Sequence, residues 1–133
     1  MNTPLLQATD LARHYRVRRG WLQPQHTVRA LDGVSFTLNA KRTLAVVGES
    51  GCGKSTLARQ LVLIERPTRG TLTLEGSDVA QADKATLAAM RPRVQMVSQN
   101  PQASLNPRRT IAATLAEPLQ LNTMLAKVER HER

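Results

Sequence analysis

The chain has 133 residues, a formal net charge of +9, 41% hydrophobic residues and only 2% aromatic residues. Its length fits one domain or part of one, with a core built from aliphatic side chains. No apolar run approaches the roughly 18 to 20 residues of a membrane helix, and the start does not resemble a secretion signal, so a soluble intracellular chain is expected. The single cysteine, Cys52, excludes an internal disulfide framework.

The positive charge does not form a convincing nucleic-acid surface. The densest basic cluster is Arg13, Arg16, Arg18 and Arg19, and aromatic residues that could stack on bases are few. No predicted helix carries a basic stripe. Nucleic acid is therefore not the expected partner, and a solvated basic surface or contact with another subunit or anionic headgroups is favoured.

The first part of the chain predicts β structure. Leu5 to Val17 contains one extended segment, and a polar loop runs from Gly20 to Thr27. Apolar and polar residues then alternate from Val34 to Leu38, which indicates a half-buried strand. Thr43 to Val47 is a continuous apolar run, typical of a strand covered on both faces in a parallel sheet.

A complete phosphate-binding loop follows that run, because residues 48–56 spell G-E-S-G-C-G-K-S-T. Glycines let consecutive N–H groups point at phosphate oxygens. Lys54 supplies a charge for the β- and γ-phosphates, and the Ser55 hydroxyl is a hard ligand for Mg²⁺. The candidate ATP-binding residues of the loop are Gly48, Glu49, Ser50, Gly51, Cys52, Gly53, Lys54, Ser55 and Thr56.

The residues after the loop have the helical pattern that such a loop requires. Leu57, Leu61 and Ile64 recur at helical spacing, and Pro67 with Gly70 ends the pattern. A helix N-terminus adds partial positive charge where phosphates would bind. Because strand, loop and helix agree, a chance glycine-rich turn is disfavoured and binding of a nucleoside triphosphate is predicted.

The rest of the sequence predicts both strands and helices. Thr71 to Leu74 and Val94 to Val97 are predicted strands, and Ala85 to Met90 is a predicted short helix. Ile111 to Ala116 is predicted to be helical, and Leu125 to Arg133 to begin another helix.

Three segments together resemble an ABC-transporter ATPase: the phosphate loop, residues 31–36 (L-D-G-V-S-F) and residues 95–101 (Q-M-V-S-Q-N-P). Residues 99–108 (Q-N-P-Q-A-S-L-N-P-R) are similar to the ATP-binding subunit of dipeptide and oligopeptide importers. The resemblance runs from about Leu5 to Leu121, which is most of the chain.

The resemblance implies an α/β fold with a P-loop NTPase core and an antiparallel β subdomain. Residues 1–133 would be the N-terminal part of an ABC nucleotide-binding domain. Within it, residues 1–107 would form the β subdomain and P-loop core, and residues 108–133 the start of a helical subdomain. The family's Leu-Ser-Gly-Gly-Gln-type signature, the catalytic Glu after its Walker B strand and its switch His do not occur, so the domain is expected to be truncated before them.

The resemblance also assigns roles to residues outside the loop. Tyr15 occupies the place of an aromatic residue that stacks on adenine, although it would otherwise be an ordinary strand residue. Gln99 matches a glutamine that reaches Mg²⁺ and the attacking water. The implied cofactors are ATP and Mg²⁺, with Ser55 and Gln99 as the protein ligands of the metal.

The implied function is that of an ATP-binding subunit that couples ATP binding and hydrolysis to peptide uptake at the cytoplasmic face of the inner (plasma) membrane. Its partners would be the permease subunits, a second ATPase subunit and, indirectly, a solute-binding protein. Without the catalytic Glu, the signature and the switch His, this chain alone is expected to be nearly inactive. The alternatives are a non-hydrolysing fragment that binds nucleotide or permease, and a DNA-acting ATPase motivated by the charge.

Overall fold

The computed structural model describes residues 3–18, 20–21, 24–100, 104–125 and 129. The chain divides into two compact units, Met1–Val94 and Gln95–Arg133. The first unit contains an antiparallel sheet and the phosphate loop, and the second contains the segment with Gln99 and a longer helix. The domain boundary expected between residues 107 and 108 stays a prediction.

Within the part of the chain that the structure describes, the sheet has four strands in the order β2-β1-β3-β4, and every pair is antiparallel. This arrangement confirms the strands expected near the N-terminus and from Thr71 to Leu74. The strands are β1 (Leu6–Val17), β2 (His26–Leu38), β3 (Arg69–Leu74) and β4 (Ser77–Asp78).

The register of β1 explains its central place in the sheet. Leu6 lies opposite Leu38 on β2 and Leu74 on β3, and Ala8 lies opposite Phe36 and Leu72 in the same way. Gln7, between them on β1, is exposed. Because side chains alternate between the two faces of a strand, this register gathers the apolar residues of three strands on one face.

Three α-helices follow the predicted helical patterns: α1 (Lys54–Leu61), α2 (Lys84–Met90) and α3 (Ile111–Asn122). α1 ends before Ile64, because Leu63 adopts a left-handed conformation with φ of 61° and the Ile64 N–H donates to the Arg59 carbonyl. A short 3-10 turn, Arg91–Arg93, follows α2. The helix expected from Leu125 to Arg133 lies mostly outside the described residues.

The core of the first unit packs α1 and α2 against the apolar face of the sheet. Leu57 of α1 and Leu87 and Met90 of α2 are buried together with residues of β1, β2 and β3. The core residues are Leu6, Ala8, Leu11, Leu31, Leu57, Leu63, Leu72, Leu74, Val79, Leu87 and Met90.

Two predicted strands are wrong: Thr43 to Val47 and Val94 to Val97 lie outside every strand of the described residues. Val47 is 88% exposed and Val97 is 92% exposed. A parallel strand requires a neighbouring strand for its N–H and C=O groups. None of the described strands pairs with either segment, so each stays extended or irregular despite its apolar composition.

Candidate functional site

The phosphate loop connects the exposed segment 43–47 to the start of α1. The Lys54 amine curls back over the loop and donates to the carbonyl oxygens of Gly48, at 2.7 Å, and Glu49, at 2.6 Å. It also lies 3.6 Å from the Cys52 sulfur, which is exposed. The ammonium group is thus held by the backbone of its own loop.

Gly53 sets the direction in which α1 leaves the loop. It is the N-cap of α1 and has φ of 100°, a left-handed conformation that side chains disfavour. A Cβ atom at this position would lie 2.3 Å from the carbonyl oxygen of Ala30 on β2. Only glycine therefore lets the loop approach the sheet this closely.

The first turn of α1 presents groups suited to an anion. No side chain caps this turn, and it contains no acidic residue. The first N–H groups of a helix have no intrahelical acceptor, and the helix dipole adds positive charge at the same end. Ser55 is exposed in this turn and Thr56 is half-buried beside it, so hydroxyl groups accompany the free N–H donors.

Tyr15 lies near the end of β1, and its surroundings were not foreseen from the sequence. Its hydroxyl donates to Glu65 Oε2 at 2.5 Å, and the Arg13 guanidinium lies 4.7 Å from the centre of its ring. Glu65 and Tyr15 are 50 positions apart. No local motif signals such a contact, because only the pairing of β1 with β3 brings the two segments together.

Gln99 belongs to the second unit, where it is exposed. Ser55 and the phosphate loop belong to the first unit. The two residues belong to different units, and the expectation that Ser55 and Gln99 bind the same metal ion stays a prediction.

The described residues contain no group of three or more His, Cys, Asp and Glu side chains that could hold a metal ion. A hydroxyl such as that of Ser55 fits Mg²⁺ in another way, because Mg²⁺ keeps several waters and accepts few protein oxygens. Among the described helices, none is long and apolar enough to cross a membrane.

Relatives with known roles match nearly the whole chain. The di/tripeptide transport ATP-binding protein DppF of Pseudomonas aeruginosa is 58% identical over 97% of the chain. The dipeptide transport ATP-binding protein DppF of Escherichia coli is 51% identical over all of it, and the oligopeptide transport ATP-binding protein AppF of Bacillus subtilis is 39% identical over 97%. The chain spans 40% of the length of each of these three relatives.

A solved structure supports the fold. The dimeric ATP-binding cassette MJ0796 bound to ADP and Pi superposes with a TM-score of 0.74, at 20% identity, over 96% of this chain and 53% of that one. The expected α/β class, with an antiparallel sheet beside a P-loop and helices, is confirmed. The ABC transporter family model matches residues 31–133, well over half of the sequence, and the chain therefore belongs to the ABC transporter family.

Proposed function

We propose that this chain binds the triphosphate of ATP on the loop from Gly48 to Thr56. The observation that carries the proposal is the contact of the Lys54 amine with two loop carbonyls, at 2.6–2.7 Å, together with the uncapped first turn of α1, which begins at Lys54. An ammonium group and the N–H donors of an uncapped helix start, both in one short loop, are complementary to a polyphosphate. In the bound state the amine would exchange its carbonyl partners for the β- and γ-phosphates.

Tyr15 is proposed to hold the adenine. Its phenol ring is half-buried at the end of β1, so a flat apolar surface is offered beside the sheet. Stacking of a base on an aromatic ring contributes roughly 1–3 kcal/mol. The ring would thus select for a base, while the loop binds the phosphates.

Ser55 and Gln99 are proposed as the two protein ligands of Mg²⁺. The exposed Ser55 hydroxyl next to Lys54 suits this role, because Mg²⁺ prefers hard oxygens and binds together with substrate phosphates. When bound, the ion neutralises charge on the β- and γ-phosphates. Gln99 would contribute an amide oxygen and orient water.

The relatives support a role in peptide import. Their names describe ATP-binding proteins of dipeptide, di/tripeptide and oligopeptide transport. We infer that this chain serves the same process, with permease subunits and a second ATPase subunit as partners at the cytoplasmic face of the membrane. A separate solute-binding protein would deliver the peptide to the permease.

A second candidate function is nucleotide binding without hydrolysis. The sequence contains no Leu-Ser-Gly-Gly-Gln-type motif and no acidic residue at the end of an apolar strand after Asp83. A positioned general base typically contributes about 10²- to 10⁴-fold to the rate. Binding at this loop would then occur with turnover near background.

One experiment separates these functions. ATP affinity and ATP turnover are measured on the same preparation, beside a Lys54→Ala variant. Binding together with turnover above that variant supports the ATPase, whereas binding without such turnover supports the non-hydrolysing module. Absence of ATP binding by the folded chain would contradict both.

A further inference from the structure

The Tyr15 ring is held at its hydroxyl by a carboxylate from a distant part of the chain. The hydroxyl donates to Glu65 Oε2 at 2.5 Å, and the Arg13 Nε–H donates to the same oxygen at 3.1 Å. The Glu65 side chain is 20% exposed, so both bonds are partly shielded from water. Charge-assisted hydrogen bonds of this kind are stronger than neutral ones and fix geometry.

Arg13 also covers one face of the same ring. Its guanidinium carbon lies 4.7 Å from the ring centre, within the range of a cation–π contact. Its Nη1 donates to the Arg66 carbonyl oxygen at 3.0 Å, which gives the guanidinium a second anchor besides Glu65. A ring has two faces, so a base that stacks on Tyr15 must use the face opposite Arg13.

Glu65 further links the ring to the helix of the phosphate loop. Arg59, on α1, lies 3.8 Å from Glu65 Oε1, while Oε2 serves Tyr15 and Arg13. Glu65 itself follows the end of α1 by four residues. The Glu65 carboxylate thus contacts both the Tyr15 ring and α1, the helix that begins at Lys54.

We propose that Glu65 is a positioning residue for nucleotide binding, which holds the Tyr15 ring so that adenine stacks on the face opposite Arg13. The proposal rests on the stacking role proposed above for Tyr15. Glu65 acts through the ring and does not touch the nucleotide. Loss of its carboxylate should therefore weaken binding of the base and leave binding of the phosphates unchanged.

The test compares ATP with inorganic triphosphate in calorimetric titrations of the 133-residue chain. Glu65→Ala should weaken ATP about threefold to tenfold, the range of one net hydrogen bond, and change triphosphate affinity by less than about twofold. Glu65→Gln retains an oxygen that accepts from the Tyr15 hydroxyl and should recover part of the ATP affinity. Tyr15→Phe, which retains the ring, should weaken ATP by a similar factor, and combining it with Glu65→Ala should add little.

A matched control is Glu117→Ala, which removes a carboxylate paired with Arg109 at 2.6 Å but not with an aromatic ring. It should change neither affinity. Equal losses of ATP and triphosphate in Glu65→Ala would overturn the proposal, because they indicate a purely structural ion pair. If Glu65→Ala does not fold, Tyr15→Phe decides: unchanged ATP affinity in that variant overturns the proposal.

Tyr15→Ala distinguishes the failure of this proposal from the failure of the stacking role. If Tyr15→Ala weakens ATP more than triphosphate and Glu65→Ala does not, stacking stands and the positioning role of Glu65 is refuted. If Tyr15→Ala affects both ligands equally, the stacking role fails and the positioning role fails with it.

Discussion

Gly53 and Gly51 share a left-handed conformation but differ in their surroundings. Their φ angles are 100° and 82°, yet an added Cβ at Gly53 would lie 2.3 Å from the Ala30 carbonyl oxygen, whereas at Gly51 nothing lies within 4 Å. Gly51→Ala should therefore lower the free energy of unfolding by about 1–2 kcal/mol, which is the cost of placing alanine in a left-handed conformation. Gly53→Ala should lower the free energy of unfolding clearly more, because the loop and the sheet must also move apart. Denaturant unfolding of the two variants measures the difference, and equal costs would contradict this account of the loop.

Gln60 is a buried polar residue on α1 whose amide has no partner among the described residues. The side chain is fully buried, and neither its Nε2 nor its Oε1 has a hydrogen-bonding partner among the described residues. An unpaired buried amide costs roughly 1–3 kcal/mol. Gln60→Met, which keeps an unbranched shape, is expected to stabilise the chain by about 1–2 kcal/mol in denaturant unfolding.

Gln7→Met is the control for that substitution, because Gln7 is exposed on β1. It should leave the free energy of unfolding nearly unchanged. A loss of stability in Gln60→Met would mean that the amide has a partner in solution.

At the scale of elements, α2 depends on an ionised cap. Asp83 accepts from the Thr86 N–H at 2.8 Å, and hydrogen bonds from the Thr86 side chain and backbone lower the pKa of Asp83 below its ordinary value of 3.8. A carboxyl whose pKa is lowered by folding stabilises the protein above its ordinary pKa, and this contribution is lost as the pH falls through the folded value. The capping contribution of Asp83 should therefore be present at neutral pH and disappear below pH 3.8.

Asp83→Asn isolates this contribution, because Asn caps helices about as well as Asp and does not titrate. The free energies of unfolding of both proteins are compared at neutral pH and near pH 3. The original chain should lose more stability on acidification than the variant. An identical loss would show that Asp83 does not act through its charge.

Some elements of the fold are determined by residues that are adjacent in the sequence. The loop from Gly48 to Thr56 and the start of α1 follow from adjacent residues, so their pattern predicts them. The alternation in β2 and β3 predicts half-buried strands for the same reason. The strand predicted from Thr43 to Val47 is wrong because a strand forms only when another strand pairs with it. The pattern of one segment does not show whether such a neighbour is present.

The surroundings of Tyr15 show the same limit for the candidate site. The resemblance to ABC ATPases marks Tyr15, but nothing near it in the sequence indicates Glu65, 50 positions later. The Ala30 carbonyl, which makes Gly53 necessary, also comes from an earlier part of the sequence outside the loop motif. Contacts that depend on the pairing of β1 with β2 and β3 become visible only in the folded chain.

For the whole molecule, the family membership and the phosphate loop agree. The chain belongs to the ABC transporter family and contains the phosphate loop, whereas its sequence has no signature-type motif. We expect the loop from Gly48 to Thr56 to bind ATP. Ligand binding to the folded state also raises its stability, so thermal unfolding should occur at higher temperature in the presence of ATP.

Calorimetric titration of ATP into the folded chain, beside Lys54→Ala and Lys84→Ala, tests whether the loop from Gly48 to Thr56 binds the nucleotide. Lys84 is an exposed lysine at the start of α2, outside the phosphate-loop motif, and serves as the matched control. Lys54→Ala should weaken ATP by about tenfold to a hundredfold, as expected for lost charge-assisted hydrogen bonds, and Lys84→Ala should leave it unchanged. Equal ATP affinity in the original chain and in folded Lys54→Ala would show that this loop is not the nucleotide site.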